Sequence, residues 1–198
     1  MLGLDVSDHQ PSINWSVVRA HGAQFAYIKA TEGTGFVNPD FASQYNGSYR
    51  VGLIRGAYHF ALPGHSSGAA QARYFVAHGG GWSRDGRTLP GALDIEQNPY
   101  GRECYGLSHS ALVSWIASFT ITYHALTSRW PVIYTDGGFW ATCTGNFRGF
   151  GEDPLWVAGS QTLPGWSFYS FRQYAGSTFP GDQDIFNGSQ SRLSKFAI

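Results

Sequence analysis

The chain has 198 residues; thirteen basic and thirteen acidic side chains leave it without formal net charge, and 42% of residues are hydrophobic, 16% aromatic and 13% charged. That balance excludes a disordered segment, and it lacks both the basic footprint of a nucleic-acid binder and the polybasic patch of a membrane-surface protein. No apolar run approaches the ~20 residues that span a bilayer, and the length suits one domain with a sizeable core.

The first ten residues, "MLGLDVSDHQ", have neither a basic n-region nor an apolar h-region. Either a leader has been removed and Met1 added, or export uses another route. Residues 2–7 read as a strand, and residues 15–22 as a short helical turn ending on Gly22. Strand 25–31 follows, then a helix within 38–50 and a strand over 52–60. A helix from Ser67 to His78 is stopped by three glycines. "TLPGALDIE", residues 88–96, reads as a strand with Pro90 near its start. The longest predicted helix begins after Ser108, a credible N-cap. Leu112, Trp115, Ile116, Phe119, Tyr123 and Leu126 recur along it at steps of three and four, which predicts one buried face. Strands at 131–135, 154–159 and 167–175 come next, with a weaker one at 183–188. No repeat or linker-like stretch appears, so residues 1–198 are read as one domain.

About eight strand-like segments, with helices between the first five or so, predict an α/β barrel; an open doubly wound sheet is the alternative. Helices thin out after Cys143, so the last third is expected to be mostly strands and loops. A regular eightfold barrel typically takes ~250 residues, which makes this a compact variant.

Polar residues gather where the strands stop: Asp5 and Asp8, Lys29 and Glu32, Tyr58 and His59, Asp94 and Glu96, Tyr134 and Asp136, Gln173 and Tyr174. In barrels the loops at the C-terminal strand ends converge over one mouth, so this recurrence points to a site there. Asp94 and Glu96 carry the most chemistry. Side chains at i and i+2 of a strand share a face, roughly 6.5–7 Å apart. Two carboxyls in a partly desolvated pocket repel, so one keeps its proton near neutral pH. A protonated acid beside an ionised one is what glycosidic cleavage requires. The alternative is that both acids cap the loop and pair with Arg55, Arg84 or Arg87.

Asp5, Asp8 and His9, with His59, could suggest a metal site, but neither His-x-His nor His-Glu-x-x-His occurs. "GGGW" at 79–82 lacks the Lys-Ser/Thr of a phosphate loop. The aromatic content alone would also suit a sugar-binding module without turnover. Cys104 and Cys143 could be a disulfide or two buried thiols; no Cys-x-x-Cys is present. A disulfide would place the protein in an oxidising compartment, and it is expected to form.

"GLDVSDHQPSINW", "FAYIKATEGTGFVNPDF", "IRGAYHFALPG", "AAQARYFVAHGGGW", "LPGALDIE" and "PVIYT", in this order, closely resemble glycoside hydrolase family 25, the lysozymes (N-acetylmuramidases) of fungal and actinomycete type. The resemblance runs from about residue 2 to 187. It implies a flattened TIM-like α/β barrel with five α/β units followed by three strands, and a secreted, monomeric enzyme. The implied activity cuts the β-1,4 bond between N-acetylmuramic acid and N-acetylglucosamine in bacterial cell-wall peptidoglycan, without a cofactor or metal. It further implies Glu96 as general acid and Asp94 as the carboxylate that orients the substrate's N-acetyl group. Asp5 in "GLDVS" and Asp182 in "GDQDIFNG" match the family's other active-site acids. Tyr58 and Tyr134 match its substrate-contacting tyrosines, and Glu32 and Gln173 complete the expected substrate contacts. Glucosaminidase or chitinase-like specificity on the same barrel is the alternative.

Departures from the family pattern fall near the groove. Asp184 stands where Asn is usual, so Asp182 and Asp184 could exchange roles; Asp182 is preferred for its distance to Phe186. Arg172 replaces a frequent Trp, His9 a frequent Trp or Tyr, and "WVAGSQTLPGW" looks shortened. These changes bear on subsite preference more than on the reaction.

Overall fold

A computed structural model describes residues 1–159, 162–176 and 180–198. Five strand–helix units lead the chain. β1 (Leu2–Val6) is followed by α1 (Trp15–Ala20). β2 (Phe25–Glu32) carries a two-residue return strand, β3 (Phe36–Val37), before α2 (Phe41–Arg50). Then come β4 (Ile54–Phe60) with α3 (Gly68–Phe75), β5 (Ala92–Asp94) with α4 (His109–Thr127), and β6 (Val132–Asp136) with α5 (Gly137–Thr144). Three strands follow, β7 (Leu155–Ala158), β8 (Phe171–Ala175) and β9 (Asp182–Phe186), and then α6 (Gln190–Phe196). The sheet runs β1-β9-β8-β7-β6-β5-β4-β2-β3, and the additional β1–β2 pairing closes eight strands into a barrel with β3 outside it. Within the barrel, neighbours are parallel except around β9, which is antiparallel to both β8 and β1; outside it, β3 is antiparallel to β2. The expected barrel of five α/β units and three strands is therefore the observed fold, and the open sheet is not.

The two-residue period of the strands sorts side chains into an interior and a helix-facing layer. Phe25, Tyr27, Tyr58, Tyr134, Trp156, Phe171 and Phe186 fill the interior. Two glycines make this possible. A Cβ on Gly3 would sit 2.4 Å from the Phe25 ring, and one on Gly56 would sit 2.3 Å from the Tyr27 ring. Phe25 and Phe171 begin their strands and Phe186 ends the antiparallel one, so all three lie at the same end of the barrel. Leu193, Phe196 and Ala197, on α6 and just after it, seal that end against them, which leaves the opposite mouth for chemistry.

Several boundaries differ from expectation for local reasons. β5 is three residues long, because Pro90 cannot join a ladder and the Gly91 N–H is taken by the Tyr123 hydroxyl at 2.6 Å. The helix after Ser67 stops at Phe75 and passes into a wider turn, Val76–Gly80, where Gly79 takes φ 110°. Leu126 is 50% exposed, in contrast to the buried Leu112, Trp115, Ile116, Phe119 and Tyr123; it sits in the last turn of α4, past the buried face. After Cys143 strands and loops dominate as expected, and α6 is the one helix that begins there among the described residues. The Asp136 side chain caps α5 by accepting from the Gly138 and Phe139 N–H groups, and Ser189 caps α6.

Cys104 and Cys143 form a disulfide with Cα atoms 5.3 Å apart, tying the loop after β5 to α5 across 39 residues of sequence. In the chain-entropy model a loop of this length contributes roughly 3–4 kcal/mol. The Cys104→Ala/Cys143→Ala variant is expected to unfold at correspondingly lower urea concentration; an unchanged midpoint would count against that role.

Candidate active site

Parallel strands present their C-terminal ends at one mouth. Asp5 comes from β1, Tyr58 from β4, Asp94 from β5, Tyr134 from β6, Trp156 from β7 and Gln173 from β8. β9 runs the other way, so its first residue, Asp182, reaches the same rim, where it pairs with Asp5 across the strands. With Glu96, Lys29, Phe60 and the β1–α1 loop residues Ser7, His9 and Gln10, these groups line a cavity of about 420 Å³.

Asp94 ends β5 and Glu96 lies two residues on. Ile95 between them is fully buried and packs in the helix-facing layer, so the acids on either side of it face the cavity together. Main-chain bonds fix this stretch: Ala61 N–H donates to Asp94 O, and Ile95 N–H donates to Tyr134 O. The Tyr105 hydroxyl bonds both the Ala61 and Glu96 carbonyl oxygens, at 3.1 and 3.0 Å. Among the described residues no arginine forms an ion pair with either acid. Arg55 pairs with Asp85 at 3.5 Å, Arg87 donates to Tyr49 O at 2.7 Å, and among the described residues the other ion pairs join Lys29 to Asp8 and Glu32. Asp94 is 8% exposed and its Oδ1 has no hydrogen-bond partner among the described residues. Burial raises its pKa well above the ordinary carboxylate value, and the charges of Glu96 and Asp5 add to this. Burial, reinforced by Asp136 and Asp182, pushes Glu96 up to about 7, with Lys29 pulling the other way.

Gln173 organises the opposite wall. Its Nε2 donates to Asp5 Oδ2 at 2.9 Å and to Asp182 Oδ2 at 3.3 Å, while its Oε1 accepts from the Tyr134 hydroxyl at 2.8 Å. One amide thus holds two acids side by side. Burial still pushes Asp5 up to about 7, against the bond from Gln173. Trp156 forms the floor, stacked on Tyr27 with ring centroids 4.9 Å apart and edge-on to Tyr134 at 4.9 Å. Asp182 faces the cavity, whereas Asp184 lies beneath the floor, fully buried, with its Oδ1 accepting from Trp156 Nε1 at 2.8 Å.

Of the predicted residues, Asp5, Tyr58, Asp94, Glu96, Tyr134, Gln173 and Asp182 converge on this cavity. Glu32 stands apart: Lys29 Nζ and the Tyr100 hydroxyl each donate to it at 2.7 Å, and it lines a neighbouring shallow pocket with Phe36, Leu62 and His65. His59 is fully buried, with Nδ1 engaged by Thr31 and Nε2 by Gln71, and burial lowers its pKa to about 4; neither ring nitrogen is open to a metal. Tyr174 points to solvent. In the stretch that looks shortened, residues 160–161 lie outside the described residues. Trp156 and Tyr105 lie outside the strand-end pattern read from the sequence, and Lys29 lies within it without a predicted role. Alternation could have found Lys29, on the same strand face as Phe25 and Tyr27, and Trp156, the inward residue of "LWVA". Nothing local marks Tyr105, which takes φ 59° in a loop.

The cavity therefore combines carboxyls, aromatic walls and retained protons close to neutral pH, an arrangement suited to acid catalysis on a sugar. A family model described as glycosyl hydrolases family 25 matches residues 4–181. Lysozyme M1 of Streptomyces globisporus is 50% identical over 207 residues, covering 98% of this chain and 70% of its own length. The N,O-diacetylmuramidase of Chalaropsis sp is 46% identical over 206 residues, covering 98% of both. The solved structure of a muramidase from Acremonium alcalophilum superposes with a TM-score of 0.97 at 55% identity, over 100% of this chain and 98% of that one.

Proposed function

Since the chain belongs to glycosyl hydrolase family 25, we propose a division of labour among its groove residues. The protein is a glycoside hydrolase of lysozyme type, with muramidase activity on peptidoglycan. The bond cut is the β-1,4 link from N-acetylmuramic acid to N-acetylglucosamine. Glu96 delivers its retained proton to the departing glycosidic oxygen. Asp94 accepts the N–H of the muramic acid 2-acetamido group, the role its buried, unfilled Oδ1 suits. So oriented, the acetamido oxygen attacks the anomeric carbon as the bond to the leaving sugar breaks, giving an oxazolinium species. Glu96, now ionised, takes a proton from the water that opens it, and the product keeps its configuration. Substrate assistance of this kind is a known departure from the scheme with a carboxylate nucleophile. Asp5 and Asp182, clamped by Gln173, offset positive charge on the sugar ring, and Tyr58, Tyr134 and Trp156 supply apolar walls.

The observation that carries this reading is the convergence of Asp94 and Glu96 on one cavity without an arginine partner. A disulfide-closed fold also suits an extracellular enzyme, acting as a monomer on the wall. The test is digestion of purified peptidoglycan with identification of the new reducing end and its first-formed anomer. Muramic acid with the β configuration is expected. Glucosamine there would mean a glucosaminidase, net inversion would rule out acetamido participation, and absence of cleavage would leave a sugar-binding module.

A further inference from the structure

We infer that Asp184 and Asp5 form a buried acid pair holding one proton between them, with Asp184 the donor, and that this bond positions Asp5 in the groove. The inference deepens the proposed role of Asp5 and rests on it. Asp184 Oδ1 is satisfied by the indole N–H of Trp156, but its enclosed Oδ2 has no N–H or other hydroxyl donor among the described residues. Across the β1–β9 ladder Gly3 faces Asp184 and Asp5 faces Asp182, so the Asp5 and Asp184 side chains lie diagonally on one face, and each carboxyl is a hydrogen-bonding neighbour of the other. Two ionised carboxylates in contact cannot hydrogen-bond; one carboxylic acid and one carboxylate can, and strongly.

The surroundings favour a single shared proton. The titratable groups facing Asp184 are Asp5 from β1, Tyr27 from β2, Tyr134 from β6 and Asp182 from its own strand. No described lysine, arginine or histidine is among them, so nothing compensates a second negative charge there. Asp184 is fully enclosed, whereas Asp5 opens onto the cavity and already accepts from Gln173. Asp5, open to the cavity, is therefore the first of the two to ionise as pH rises, while Asp184 keeps the proton it gives to Asp5. Burial and the Asp5 charge raise Asp184 far above its ordinary value, consistent with this placement. Asp184 is thus a positioning residue acting through Asp5, and loss of its proton at high pH sets two like charges against each other under the groove floor.

Asp184→Asn tests this directly. Asn retains an oxygen for Trp156 and offers Asp5 an N–H that cannot be titrated away. The expected result is kcat within about threefold of wild type at pH 6 and a melting temperature that falls less between pH 6 and pH 9 than that of wild type. Asp184→Ala, which leaves Asp5 without this donor, is expected to lower kcat at pH 6 by at least about tenfold with KM little changed. If Asp184→Ala does not fold, the Asn variant alone decides. Identical melting-temperature profiles for Asp184→Asn and wild type, or a kcat lost equally in both variants, would overturn the proposal. The melting profile does not depend on which glycosidic bond is cut, so failure of the muramidase assignment would be seen separately at the reducing end.

Discussion

Glu96→Gln is expected to lower kcat on peptidoglycan fragments by at least ~10², with KM changed little and the fold intact. Gln has nearly the same shape as Glu and can donate a hydrogen bond, but it cannot release a proton to the leaving oxygen. It therefore removes the transfer and leaves most of the binding. The backbone at this position is held by the Tyr105 hydroxyl on the Glu96 carbonyl oxygen, a contact the substitution does not touch. Neutralising a half-buried acid that is crowded by Asp136 and Asp182 should also leave stability equal to or above that of wild type. Wall lysis by Glu96→Gln at a rate near wild type would remove Glu96 from the role of acid.

Asp94→Asn is expected to divide activity from stability. Turnover should fall by about 10²–10³, because the bound acetamido N–H favours the ionised form of Asp94 and Asn cannot supply that charge to the developing positive centre. The melting temperature at pH 7 should rise. Burial together with Glu96 and Asp5 raises the folded-state pKa of Asp94, while in the unfolded chain it titrates near ~3.9. The folded protein therefore binds a proton that the unfolded chain has released, and stability falls as pH rises. The contribution is complete below the unfolded value and is lost as pH climbs through the folded one. Asn abolishes that loss, and its amide can reach water in the cavity. For a chain of this length each 1 kcal/mol corresponds to about 2–4 °C, so a gain of a few degrees at pH 7 is expected, shrinking toward pH 4 where wild type is protonated as well. Asp5 and Glu96, each raised to about 7, act with the same sign. His59, lowered to about 4, acts in the opposite sense, its contribution being lost as pH falls through that value. Five raised acids, Asp5, Asp94, Glu96, Asp153 and Asp184, outweigh the lowered His59 and Asp85 and place the stability maximum on the acid side of neutrality. A lower melting temperature for Asp94→Asn than for wild type at pH 7 would contradict this account.

The barrel was legible because its strands are bounded by glycine and proline and its longest helix repeats its apolar residues on one face. Leu112 through Tyr123 behave as that repeat predicts, and Leu126 departs only because its turn lies past the buried face. Short helices carried less information. α5 opens with two glycines, and its real signal is the single Asp136 cap. In the site, the alternation that aims Asp94 and Glu96 together is a property of local chain geometry and could be read from eight residues. The Gln173–Asp5 clamp, the Trp156–Asp184 bond and the Tyr105–Ala61 anchor each join residues distant in sequence. No local pattern encodes such contacts, because barrel closure brings their partners together. Glu32 shows the converse: it ends its strand as expected, yet a lysine and a tyrosine occupy both its oxygens at the groove's edge.

Catalysis by this groove depends most on Glu96 keeping its proton to near-neutral pH while Asp94 stands beside it. A pH titration of the Glu96 carboxyl carbon by NMR, with Glu96→Gln identifying the signal, tests that most directly. The predicted result is a midpoint at about 7, matching the pH above which kcat declines. A midpoint near the ordinary ~4.3 of an exposed glutamate, with kcat sustained well above neutrality, would contradict it.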